Sequence, residues 1–197
     1  MSGLRVACER RLVLDSFNAH FMDSQVTAVI GPSGSGKTTL LSVISGEVKP
    51  EGGVIKFCGT SQLPVAFVTQ NAQLLGNRTA LDNVALGNLA IGYRYDDARR
   101  TARRLLDRLS LEHLSERKAH QLSGGERQRV AILRAIARRS SVLLADEPTA
   151  ALDLASREAV VNALLLAAAE GVAVVVATHD EYVARSAHAV VKMPEEQ

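Results

Sequence analysis

The chain has 197 residues, enough for one domain with a core of its own and a small subdomain. Apolar residues make up 47% and charged residues 22%, ordinary for a globular protein, and a net charge of +2 gives no strong attraction for nucleic acid or anionic lipid, so no nucleic-acid partner is expected. Cys8 and Cys58 have no metal-ligand or CxxC spacing and read as reduced thiols in a cytosolic protein, and the opening MSGLRVACERR lacks the apolar stretch of a signal peptide.

In chain order, VTAVI (26–30) is a predicted strand, GPSGSGKTT follows it, and TTLLSVIS (38–45) is a helix. GVIKF (53–57) and VAFVT (65–69) are further strands. From about Thr79 to Ala119 there is no convincing strand, which reads as a helical insertion with a helix over 96–110. A helix over 125–140 leads to the strand VLLA (142–145). The apolar stretch 159–177 is cut by Glu170-Gly171. It therefore reads as the end of a helix (156–169) and a buried strand (172–177), not a membrane span. A last helix and a short strand near Val190 close the chain. Strands alternating with helices imply a mostly parallel sheet covered on both faces.

Gly31-Pro32-Ser33-Gly34-Ser35-Gly36-Lys37-Thr38 fits GxxxxGK[ST], with a strand before it and a helix, through Thr39, after it. Glycines let successive backbone N–H groups turn inward around phosphate oxygens, and the helix start adds free N–H groups and a positive end. Lys37 would reach the β- and γ-phosphates, and the Thr38 hydroxyl would ligate Mg²⁺. With no ligand the same residues would form a plain glycine-rich turn. Asp146 and Glu147 follow the 142–145 strand, at the edge of a parallel sheet that faces a ligand crevice. Asp146 would hold Mg²⁺; Glu147 would take a proton from an attacking water or orient it. Both could instead cap the turn before Pro148. Gln70 and His179 also follow strands. Gln70 can offer an amide oxygen to Mg²⁺ or the water, and His179 can donate to a γ-phosphate oxygen.

LSGGERQ (122–128) adds a second glycine pair, with Ser123 offering a hydroxyl and Gly124 and Gly125 bare backbone at a helix start. Ser123 and Glu126 also fit a capping box, which accounts for Ser and Glu but not for two adjacent glycines. Here the chain resembles the ATP-binding cassette (ABC) family. The motifs run in the family's order over nearly the whole chain: 31–38, Gln70, TALDNVALG (79–87), 122–128, Asp146 and Glu147, Asp153 in AALD, and His179. The resemblance implies an α/β P-loop NTPase with a RecA-like parallel core, a small antiparallel β subdomain and an inserted helical subdomain at about 79–138, all one domain over 1–197. It implies an ATP hydrolase using ATP and Mg²⁺. It also implies that Ser123, Gly124 and Gly125 close on the ATP of a second cassette, in a homodimer with Asp153 at the seam.

LLADEPTAALD and LSGGERQRVAI look most like the lipoprotein-release and macrolide-efflux branch, with solute importers close behind. No membrane helix is predicted, so the resemblance implies a separate transmembrane permease and a cassette on the cytoplasmic face of the membrane. A non-transport ATP switch and a non-hydrolysing subunit are the alternatives. The chain departs from the family's pattern in four places. The aromatic that stacks on adenine is missing near Cys8–Arg11, where Arg10 or Arg11 could stack instead; Phe17 and Phe21 look like strand core residues. The segment between Lys37 and Gln70 is short, so the β subdomain is trimmed. Little follows His179, so no regulatory domain is expected. Leu133 replaces the usual Ala, so tighter packing is expected there. Arg99, Arg100, Arg103, Arg104 and Arg108 share one helix opposite Leu105, Leu106 and Leu109, as a solvated face or as a docking surface near the permease.

Overall fold

The Val-rich runs assemble into one five-stranded parallel sheet in the order β5–β6–β7–β3–β8. Its strands are β3 (Val26–Ile30), β5 (Val65–Val68), β6 (Val142–Asp146), β7 (Ala173–Thr178) and β8 (Ala189–Lys192). The structure is a computed structural model that describes residues 1–8, 11–57 and 64–194. Arg10 and Cys58 lie outside the described residues, as do the side chains of Cys8 and Arg11. A second, antiparallel sheet has the order β2–β1–β4, built from β1 (Ser2–Cys8), β2 (Arg11–Phe17) and β4 (Gly52–Val54). The helices are α1 (Lys37–Ser45), α2 (Ala80–Leu89), α3 (Tyr95–Arg108), α4 (Gly124–Ala137), α5 (Leu154–Ala169) and α6 (Glu181–Ser186).

Every residue of β7 is buried, because helices cover both faces of the sheet and β-branched valines pack well on a pleated surface. Its side chains alternate between two apolar clusters. Val174 and Val176 join the cluster of α2, α3, α4 and α5, while Val175 and Ala177 join that of α1, β1 and β2. β6 divides the same way, with Leu143 and Ala145 on one side and Val142 and Leu144 on the other. Leu133 is fully buried in the first cluster. Each fully buried side chain of this kind contributes about 1.5–3 kcal/mol from burial.

Thr79 caps α2, its hydroxyl accepting from the Asp82 N–H at 3.0 Å. On α3, Ala98, Ala102, Leu105 and Leu106 face inward and the arginines outward. Arg99 pairs with Asp82 and Glu116, Arg100 with Asp97, Arg103 with Glu116 and Arg108 with Glu170. Among the described residues Arg104 makes no ion pair. The apolar 159–177 stretch divides at Gly171 into α5 and β7, and no helix among the described residues is long and apolar enough to cross a membrane.

Four sequence expectations are corrected. The strand expected over 53–57 is only Gly52–Val54, because it pairs with β1 at Arg5 and Ser2 and the ladder stops where β1 starts. Phe17 ends β2 in the core, but Phe21 lies past the strand, half-buried on the way to β3. The helix expected to run to residue 140 ends at Ala137, because Arg139 turns left-handed with φ 54°. Asp146 is the last residue of its strand rather than the first beyond it, since it still pairs with Ala177.

Candidate active site

Parallel register aligns the carboxyl ends of four strands. Ile30 pairs with Thr178, Ala177 with Asp146, and Ala145 with Val68. Gly31, His179 and Glu147, each the first residue beyond its strand, and Gln70, the second beyond β5, therefore share one rim of the sheet, where open α/β folds bind ligands.

From Gly31 the chain turns into α1. Gly36 stands at the head of that helix with φ 92°, a left-handed conformation that strains any residue with a Cβ. A Cβ there would also come within 2.5 Å of Val13 Cγ1 on β2. Gly36 makes no side-chain cap, so the first N–H groups of α1 remain for an anion. Lys37 is only 9% exposed, and its Nζ donates to the carbonyls of Gly31 and Pro32, both at 2.9 Å. Ser35 Oγ is buried with no hydrogen-bond partner among the described residues, an orphan that a phosphate oxygen would satisfy. Pro32, Ser33 and Gly34 are exposed at the loop tip, and Thr39 is half-buried in the first turn of α1.

Thr38 Oγ1 donates to Asp146 Oδ2 at 2.9 Å. Burial pushes the Asp146 carboxyl above its ordinary range, the Thr38 hydrogen bond opposes this, and the neighbouring Glu147 charge adds to it. A hydroxyl and a carboxylate oxygen form a hard donor pair suited to Mg²⁺. Among the described residues no three His, Cys, Asp or Glu side chains form a metal cage, so Mg²⁺ here would complete its shell with phosphate oxygens and water.

Glu147 has φ 45°, and its N–H donates to the Ala177 carbonyl at 2.9 Å. Its carboxylate is held at both oxygens. Thr178 Oγ1 donates to Oε2 at 3.1 Å, and His179 Nδ1 lies 2.8 Å from Oε1. The His179 side chain is otherwise 75% exposed. Thr178 was missed from sequence, since a Thr ending a valine strand carries no signal of its own. Gln70 is exposed, and its side chain makes no hydrogen bond among the described residues. Its carbonyl and that of Thr69 accept from buried Gln128 Nε2 on α4, at 2.6 and 3.0 Å. Gln128, inside the second glycine motif, is a further link that the sequence did not single out.

At that motif Ser123 and Glu126 form the capping box. Ser123 Oγ accepts from the Glu126 N–H at 3.3 Å, and Glu126 Oε2 accepts from the Ser123 N–H at 2.7 Å. Asp153 caps α5, accepting from the Ser156 N–H at 2.9 Å and Oγ at 2.8 Å. These hydrogen bonds, the backbone one foremost, hold the Asp153 carboxyl below its ordinary range. Among the described residues no hydrogen bond links 123–125 to the glycine loop at 31–38.

A parallel sheet whose strand β3 feeds a glycine loop and a lysine-headed helix, with an acidic pair two strands away, defines a P-loop nucleoside triphosphatase. The chain belongs to the ABC transporter family, whose sequence profile matches residues 14–150. It is 38% identical to the lipoprotein-releasing system ATP-binding protein LolD of Paramagnetospirillum magneticum, over 93% of this chain and 87% of that protein. It is also 38% identical to the macrolide export ATP-binding/permease protein MacB 1/2 of Paracoccus denitrificans, over 92% of this chain and 29% of that longer protein. Among solved structures it resembles the ATP-binding cassette MJ0796, dimeric in a post-hydrolysis state with ADP and Pi, with a TM-score of 0.78 and 33% identity. That match covers 98% of this chain and 92% of the cassette. ATP hydrolysis is the activity of this family, and the chain is one of its ATPase subunits.

Proposed function

We propose that the chain binds ATP with Mg²⁺ on the rim of its sheet and hydrolyses it where a second copy closes over the nucleotide. The loop Gly31, Pro32, Ser33, Gly34, Ser35 and Gly36 cradles the phosphates with its backbone, together with the first turn of α1 at Thr38 and Thr39. Lys37 supplies the fixed positive charge. Thr38 and Asp146 hold Mg²⁺, and Gln70 offers its amide oxygen. When bound, Mg²⁺ neutralises charge on the β- and γ-phosphate oxygens.

Glu147 accepts a proton from the attacking water as the water oxygen bonds to the γ-phosphorus and the bridging bond to the β-phosphate breaks. His179 orients Glu147 by donating its Nδ1 N–H to Oε1. Ser123, Gly124 and Gly125 of one cassette cover the ATP on the other, and Asp153 lies at the seam. Residues 1–197 act as one cassette, with about 79–138 as its helical arm. The pair drives a membrane permease from the cytoplasmic face; the relative MacB 1/2, a macrolide export ATP-binding/permease protein, joins an ATP-binding part to a permease.

The observation that carries this reading is Glu147, tied at both carboxylate oxygens on the same sheet edge as the Lys37 loop. Phosphate release by a Glu147→Gln variant tests it. Turnover is expected to fall by about a hundredfold or more while ATP binding persists. Unchanged turnover overturns the assignment.

A further inference from the structure

We propose that Thr178 is a positioning residue for hydrolysis, its hydroxyl directing the Glu147 carboxylate so that Oε1 is the oxygen that takes the proton. The proposal rests on Glu147 being the base. Thr178 is fully buried at the end of β7, in register with Ile30, the last strand residue before the glycine loop. A buried hydroxyl requires partners, and this one has two. It accepts from the Asp180 N–H at 3.0 Å and donates to Glu147 Oε2 at 3.1 Å. A hydroxyl has a single proton, and the backbone N–H fills its acceptor role, so that proton goes to Glu147.

The support behind Thr178 is anchored in turn. The Asp180 carboxylate accepts from Thr149 Oγ1 at 3.1 Å and from the Tyr182 N–H at 2.9 Å, and pairs with Arg157 at 3.2 Å. Glu147 is tied to the same strand through its N–H. Backbone and Oε2 are therefore both fixed on β7, which leaves Oε1 beside exposed His179 as the oxygen presented to the rim. Without the Thr178 hydroxyl only the contact from exposed His179 restrains the carboxylate, whose terminal torsion is intrinsically broad, so Oε1 is aimed less well.

The test compares steady-state ATP turnover of Thr178→Val, Thr178→Ser, Glu147→Gln and the Thr178→Val/Glu147→Gln double variant, with thermal unfolding as the check on folding. Val keeps the shape of Thr and removes the donor. We expect kcat of Thr178→Val to fall about tenfold to a hundredfold with KM for ATP nearly unchanged. Thr178→Ser should restore most of the rate. In the Glu147→Gln background Thr178→Val should cause no further loss, because the two residues act as one unit. A wild-type kcat in Thr178→Val, or the same fold-loss in both backgrounds, overturns the proposal. Wild-type turnover in Glu147→Gln alone instead overturns the parent assignment of the base. Should Thr178→Val fail to fold, the Thr178→Ala and Thr178→Ser pair carries the comparison, and equal kcat in the two overturns the proposal.

Discussion

Gly125 of α4 lies so close to Ser156 of α5 that a Cβ on Gly125 would stand 2.9 Å from the Ser156 Cβ. Ser156 is the residue whose N–H and hydroxyl hold Asp153. The second glycine motif and the Asp153 turn, both assigned to the seam between cassettes, are thus packed together within one chain. Gly125, one of the two glycines that the capping box left unexplained, therefore has a physical reason inside the monomer, independent of any partner.

Gly125→Ala should therefore destabilise the isolated chain by about 1–3 kcal/mol, the cost of overpacking a tight contact. Gly124→Ala should cost less, since its Cβ would meet only the Leu152 Cδ2 tip at 3.2 Å. Urea unfolding of the two variants checks the order.

Asp153→Asn should reveal a pH-dependent contribution. The hydrogen bonds from Ser156 hold the folded carboxyl below the usual aspartate range, so its stabilisation is present above that range and is lost as pH falls through the lower folded value. Wild type should unfold at higher temperature than Asp153→Asn at neutral pH, and the gap should close below about pH 4. A gap that is constant from pH 7 to pH 3 contradicts this.

Placed in a Glu147→Gln background, Ser123→Arg should remove the dimer that ATP induces, as read by size-exclusion chromatography. Loss of the cap costs only about 1 kcal/mol, so the chain should stay folded. An unchanged ATP-dependent dimer peak contradicts the role assigned to Ser123.

Gln128→Leu should loosen the turn after β5. It removes the two hydrogen bonds to the Thr69 and Gln70 carbonyls. The expected cost is about 1–3 kcal/mol, with faster amide exchange at residues 69–72. Exchange unchanged there would show that the turn holds itself.

Much of this protein was legible in the sequence by itself. The alternation of valine runs with helices determined a parallel sheet, because strands buried on both faces read as continuous apolar runs. The spacing from Gly31 to Thr38 pointed to a phosphate loop, and Gly36 suits the left-handed turn there, where a Cβ would also meet Val13. Strand ends also placed Asp146, Glu147, Gln70 and His179 on one rim, since parallel strands all point the same way. The tertiary structure decided the rest. It set the partners of each side chain, which depend on register between segments distant in the chain: Thr38 with Asp146, Thr178 with Glu147, Gln128 with the Gln70 turn, Gly125 with Ser156. A local pattern carries the type of chemistry at a position, but hydrogen bonds and close packing act over a few ångströms in space, and only the folded chain brings those groups that near.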